Sequence, residues 1–218
     1  QSARLHKHLH QIECDEGWLV SAQQQHAIKA DVLECRLVSA KSSLCKESIR
    51  AAYLELGDFW KDSGMLKESL KCHLRTRDYC INSKQSAQMC LAVIELGIDM
   101  RNFTHVNSYV NKAENTAHLV SNDPLSAAKF RAASGISALY ANSFREAANA
   151  FTDLSMELSS SEFDTVLSAE DIALYGSILA LASLDREELH LSVLDSSNLK
   201  QRLELLPWMR DALRHLSR

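Results

Sequence analysis

The sequence predicts an all-α fold of stacked helical pairs, and three observations predict it. The 218 residues include only two prolines, Pro124 and Pro207, and six glycines. Such poverty in helix breakers favours long helices over the short, turn-rich strands of a sandwich or barrel. Gly57, Gly97, Gly135 and Gly176 recur at spacings of 40, 38 and 41 residues, within the range of helical-repeat arrays. Small and bulky residues also keep fixed offsets from these glycines.

Around Gly57 the chain reads Tyr53-x-x-Leu56-Gly57-x-x-Trp60, then Gly64, then Ser69-x-x-x-His73. From Gly135 the same offsets reach Asn142, Ala147 and Phe151. Asn142 stands where Gly64 stood, and either residue suits a left-handed turn. The match is looser at Gly97, where the offsets reach Tyr109 and Ala113, and at Gly176, preceded by Tyr175 and followed by Ser183. A glycine in the first helix lets the second cross close to its backbone, a small residue meets it there, and larger side chains fill the gap to the next pair. One pair cannot bury its apolar face alone, so pairs stack. The pattern is close to a tetratricopeptide repeat, with a period longer than the usual ~34 residues. The predicted fold is therefore a right-handed tetratricopeptide-like superhelix with irregular connections.

In order, residues 18–40 predict one long helix. Residues 44–62 and 66–82 form pair one, 84–101 and 103–118 pair two, 124–141 and 144–157 pair three. Pro124 suits a helix start, and SSSEFD (159–164) reads as a polar loop. Ser168-Ala-Glu-Asp171 has the form of a capping box opening pair four, with residues 184–196 as the second helix. Pro207 opens a last helix. The expected organisation is an N-terminal helical segment (1–43), four repeat pairs (44–203) and the start of a further helix (204–218).

Composition narrows the function classes. The net charge is -4 and the pI about 6.1, unlike the basic balance of a general nucleic-acid binder. No apolar run approaches the ~18 residues of a membrane span, and the N-terminal QSARLHKHLHQIECDE lacks a signal-peptide core. The missing initial Met points to a piece of a longer chain. Cys14, Cys35, Cys45, Cys72, Cys80 and Cys90 include no C-x-x-C pair and read as buried free thiols of a reducing compartment. His6 and His10 share a helix face with His8 nearby, but no second ligand pair accompanies them, so no metal is expected. Cys72 and His73 are adjacent, and neighbouring side chains on a helix point apart, which is wrong for a nucleophile and its base. No phosphate-binding, dinucleotide-binding or hydrolase motif occurs. The expectation is a protein–protein interaction scaffold, with a free tetratricopeptide adaptor as the alternative, and not an enzyme, with no cofactor.

Two surfaces are candidates for partners. Lys67, Lys71 and Arg75, with Arg77 beside them, give the first repeat a basic helix face suited to an acidic surface; Arg75 and Asp78 are spaced to pair. Tetratricopeptide grooves are lined by the first helix of each pair. Offsets from the repeat glycines select Leu54, Asp58 and Lys61, then Ile94, Ile98 and Arg101, then Ala132, Ile136 and Leu139, then Ala173, Ser177 and Ala180. An open apolar groove is a liability, so Ile94, Ile98, Ile136 and Leu139 are expected to lie under another helix, from residues 1–40 or from a partner.

KESIR (46–50), LGDFWKDSG (56–64), RTRDYC (75–80), FTHVNSYVNKAEN (103–115), AASG (132–135), SAEDIALYGSILALASLDREEL (168–189) and Leu203-Glu204-Leu205-Leu206-Pro207 appear in that order. Together they resemble the subunit 1 family of the COP-nine signalosome, over about residues 46–215; 1–45 and 116–165 carry less of the pattern. The paralogous proteasome-lid subunit shares the architecture and matches less well at RTRDYC, SYVNKAE and LASLDREEL. The resemblance implies a helical-repeat scaffold preceding a winged-helix PCI domain, which this sequence does not contain. It also implies residence in nucleus and cytoplasm, other signalosome subunits as partners, and contact with the cullin-RING ligase from which the complex removes a ubiquitin-like modifier. The metalloprotease chemistry would belong to a different subunit.

Overall fold

The computed structural model describes residues 16–115, 123–154 and 166–216. Eleven α-helices follow one another among them: α1 (Glu16–Ser42), α2 (Lys46–Asp62), α3 (Leu66–Thr76), α4 (Ser83–Asp99), α5 (Phe103–Asn115), α6 (Pro124–Tyr140), α7 (Phe144–Thr152), α8 (Ala169–Ser183), α9 (Arg186–Leu189), α10 (Ser197–Leu203) and α11 (Pro207–Leu216). From α1 to α8 each helix packs on the next; α4 also touches α6, and α8 touches α10 and α11. This zigzag of stacked pairs is the predicted all-α repeat architecture. The predicted 159–164 loop, the end of the 103–118 helix, Cys14 and the N-terminal histidines lie outside the described residues.

Local chemistry sets the helix starts. The Asn82 side chain accepts from the Gln85 N–H at 2.8 Å and opens α4. Asp123 accepts from the Leu125 N–H and Ser126 Oγ ahead of Pro124. The Ser168 hydroxyl accepts from the Asp171 N–H at 3.1 Å, the anticipated cap of α8. Each satisfies a donor that the first helical turn leaves open.

Three elements differ from expectation. The second helix of pair one ends at Thr76, not 82, and a 3-10 turn (Arg77–Tyr79) follows. The Thr76 hydroxyl bonds back to the His73 carbonyl at 2.6 Å, and Tyr79 turns onto the Tyr53 ring, centroids 5.9 Å apart. Such back-bonding competes with helix continuation. The second helix of pair three stops at Thr152, whose hydroxyl bonds back to Ala148 in the same way. Pair four has no single second helix: α9 runs into a π-helical turn (His190–Leu194), and α10 completes the layer.

Helices do approach closely at the repeat glycines, but the bulky His73 and Phe151 meet Gly57 and Gly135, not the small Ser69 and Ala147 expected there. A Cβ on Gly57 would stand 2.8 Å from His73 Nε2, one on Gly97 2.8 Å from Val106 Cγ2, and one on Gly135 2.7 Å from Phe151 Cε1. Gly176 is roomier, 3.3 Å from the Phe151 Cβ. The register of pair two needs correction. Gly64 (φ 75°) and Asn142 (φ 61°) hold the left-handed turn seven residues after their glycines, whereas Arg101 (φ 54°) holds it four residues after Gly97. The turn comes three residues early, so Val106 and Val110 occupy the places of Ala147 and Phe151; Tyr109 and Ala113 do not.

The main core runs from Ala87 to Leu213, with Phe151, Ile172, Leu199 and Leu213 fully buried in it. A smaller cluster of Leu33, Leu37, Ala52, Leu56 and Phe59 joins α1 to α2. The Lys61–Glu95 pair at 3.1 Å ties α2 to α4. At the far end the buried Arg202 guanidinium donates to the Leu154 carbonyl at 2.8 Å, linking α10 to the end of α7.

Candidate functional site

Lys67, Lys71 and Arg75 lie one helical turn apart on the exposed side of α3, with Arg77 exposed on the 3-10 turn. The opposite side of α3 buries Ser69, His73 and Thr76 against the repeat. Lys71 pairs with Glu68 at 2.7 Å, and Arg77 with Asp78 at 3.4 Å. The anticipated Arg75–Asp78 pair does not form, because Asp78 sits beyond the end of α3 and turns to its neighbour. Lys67 and Arg75 have no ion-pair partner among the described residues. Lys67 and Arg75 can therefore offer charge to an acidic surface without first breaking an internal pair.

The groove residues are corrected. Ile94 has no exposed surface, and Ala132, Ala173, Ser177 and Ala180 are equally buried. Ile98, Ile136 and Leu139 are partly buried and pack against the same core. The chosen offsets pick out the faces by which successive pairs stack, so neighbouring repeats cover these side chains. Residues 16–42 do not cover them either, since α1 stacks on α2 in its own cluster. Ile94 is thus core and not contact surface.

Cys72 and His73 do not form a reactive pair. Burial, with Glu68 and Glu34 nearby, pushes the Cys72 thiol up to about 11, which keeps it protonated and a poor nucleophile. Burial pulls the His73 pKa down, partly opposed by the Asp58 carboxylate 3.6 Å from its Nε2. His73 is 2% exposed, and neither ring nitrogen has a hydrogen-bond partner. It fills the space over Gly57 as a neutral ring. The expectation of buried cysteines also needs revision: Cys90 is buried, Cys72 and Cys80 are half-buried, and Cys35 and Cys45 are exposed. No group of three or more metal-ligating side chains occurs among the described residues, and no described helix is long and apolar enough to cross a membrane.

Sequence reasoning anticipated the α1 helix but not which side of it α2 covers. Its apolar residues lie all round the circumference, whereas Leu33 and Leu37 alone are buried. Apolar and polar residues are mixed all round this helix, so the sequence WLVSAQQQHAIKADVLECRLV does not mark which side is covered.

The described residues form a stack of helical pairs with an exposed basic face on α3, a helical-repeat architecture. Residues 15–192 match the family described as 26S proteasome subunit RPN7, and the chain belongs to that family. It is 41% identical over 199 residues to COP9 signalosome complex subunit 1 of Arabidopsis thaliana, covering 91% of this chain and 44% of the relative. It is 34% identical over 203 residues to subunit 1b of Drosophila melanogaster, covering 91% and 38%. It is 35% identical over 199 residues to subunit 1 of Emericella nidulans, covering 91% and 40%. The chain thus spans about two fifths of these relatives' length.

Proposed function

We propose that this chain is the helical-repeat part of a non-catalytic signalosome scaffold subunit, in the complex that removes a ubiquitin-like modifier from cullin-RING ligases. The observation that carries the reading is the similarity to signalosome subunit 1 chains over 91% of the sequence. The proposed partners are other signalosome subunits. The basic face of α3 is the proposed contact for an acidic surface of the ligase, through Lys67 and Arg75. No cofactor, metal, nucleic acid or membrane enters the proposal, and the proposed location is nucleus and cytoplasm. The division into 1–43, 44–203 and 204–218, with a PCI domain following, belongs to the same reading. The family description favours one second reading, the equivalent scaffold subunit of the proteasome lid.

The test is affinity purification of the full-length protein followed by mass spectrometry. Recovery of signalosome subunits supports the first reading, and recovery of lid subunits moves it to the second. The triple substitution Lys67→Glu, Lys71→Glu, Arg75→Glu is expected to keep the assembly and to lower salt-sensitive binding of cullin-RING ligase. Unchanged ligase binding removes the α3 face from the proposal.

A further inference from the structure

α3 meets solvent along a single line. From Leu66 to Thr76 the exposed residues are Lys67, Lys71 and Arg75; every other residue of the helix is buried or half-buried. At four-residue spacing the chain rises ~6 Å from one cation to the next. Arg77 is exposed just past the helix end. Beyond it, the Lys112 Nζ on α5 lies 5.5 Å from the centre of the Tyr109 ring. Burial raises the pKa of the Tyr109 hydroxyl, and nearby Arg77 opposes that rise. The cations therefore run from pair one onto pair two as a narrow stripe. The other exposed residues described on α5, Thr104, Asn107, Ser108 and Asn111, carry no charge. The carboxylates facing the stripe are Glu68, paired with Lys71, and Asp78, paired with Arg77. Glu34 on α1 is the third; after burial, it and Glu68 raise the Cys72 thiol.

Shape and chemistry narrow what this stripe can hold. On α3 it is one residue wide and exposes no apolar or aromatic side chain. An amphipathic helix would find no groove in which to bury its apolar face. A nucleic-acid strand would find no ring on α3 against which to stack a base. An extended chain with carboxylates on alternate residues repeats every ~6.7 Å, close to the cation spacing. Such a chain needs only charge from the protein and keeps the rest of its surface in water.

We propose that the stripe holds an extended acidic segment of a partner protein, with Lys67 and Arg75 as its first contacts and Glu68 as an internal competitor for Lys71. The proposal rests on the α3 contact proposed above and names the kind of chain that meets it. The test uses the full-length protein and a labelled peptide of about 12 alternating Glu and Ser residues, ~40 Å when extended. The comparisons are a Lys-Ser peptide, an Ala-rich helical peptide with the same number of Glu residues, and an oligo-thymidylate of equal charge. Binding is read by fluorescence anisotropy. The expected result is that the Glu-Ser peptide binds tightest and weakens several-fold from low to physiological salt. Lys67→Gln and Arg75→Gln, both at exposed positions, each weaken it about threefold. Lys112→Gln weakens it as well, and Glu68→Gln tightens it by releasing Lys71. Equal or tighter binding of any comparison ligand, or no tightening by Glu68→Gln, overturns the proposal. If the Glu-Ser peptide does not bind while the triple Glu substitution still lowers ligase binding, the extended segment is refuted and the α3 contact stands, met by a folded acidic surface. If the peptide binds as expected while ligase binding ignores that substitution, the ligase reading falls and the acidic segment belongs to another partner.

Discussion

Gly135→Ala puts a single carbon where the packing of pair three leaves no room. The new Cβ would stand 2.7, 2.8 and 3.1 Å from three atoms of the Phe151 ring, well inside the ~3.5–4.0 Å optimum for carbon contacts. The ring cannot swing clear, because Phe151 is fully buried and its own Cβ lies against Gly176. Overpacking of this kind costs ~1–3 kcal/mol, while alanine in mid-helix regains ~1 kcal/mol of propensity. With contacts as short as 2.7 Å placing the clash in the upper part of that range, the net expectation is a loss of about 1–2 kcal/mol for Ala. Gly135→Leu, with a branched side chain and the same clash, should cost more. Urea denaturation followed by circular dichroism measures this as a fall in midpoint at constant slope. Combining Gly135→Ala with Phe151→Leu should lose less than the sum of the single effects, since the second change removes what the first strikes. Gly176→Ala is the internal comparison: its nearest contact is 3.3 Å, so it should be close to neutral or stabilising. If Gly135→Ala were as stable as wild type, or Gly176→Ala the worse of the two, the helix-pair register argued above would be wrong.

Acidification should weaken pair one. His73 has a folded pKa lowered by burial, with Asp58 and Lys61 on α2 and Glu95 on α4 as the charges facing it. The unfolded chain therefore takes up the proton first, so stability is full above the unfolded value of about 6.5 and is lost as pH falls below it. His73→Phe copies the Gly135–Phe151 arrangement of pair three; urea midpoints should show higher stability and a smaller loss between pH 7 and 5.5. Arg101→Gly should raise the melting temperature, because a left-handed residue with a side chain costs ~1–2 kcal/mol that glycine avoids; no change would mean that the turn is not strained. Arg202→Met leaves the Leu154 carbonyl without its guanidinium donor and should cost ~1–3 kcal/mol, read as a lowered denaturation midpoint.

Helices, their approximate bounds and the approach of two helices at Gly57, Gly97 and Gly135 were legible in the sequence, whereas the side chain that meets each glycine was decided by tertiary packing. Asn142 could be equated with Gly64 because a left-handed turn restricts residue choice within a few positions. Pair two misled because Arg101 takes the turn without being Gly or Asn, so nothing in the sequence marked the early turn that makes Val106, not Tyr109, the partner offset from Gly97. Tertiary structure alone decided which apolar faces are covered. Periodicity says that Ile94 and Ile136 lie on apolar faces of helices; it does not say what lies opposite. Stacking of neighbouring repeats buries Ile94 fully and Ile136 in part, whereas α1 has α2 on one side only and leaves Ile28 exposed. Burial is a relation between elements far apart in the chain, and a helical pattern specifies only one of them.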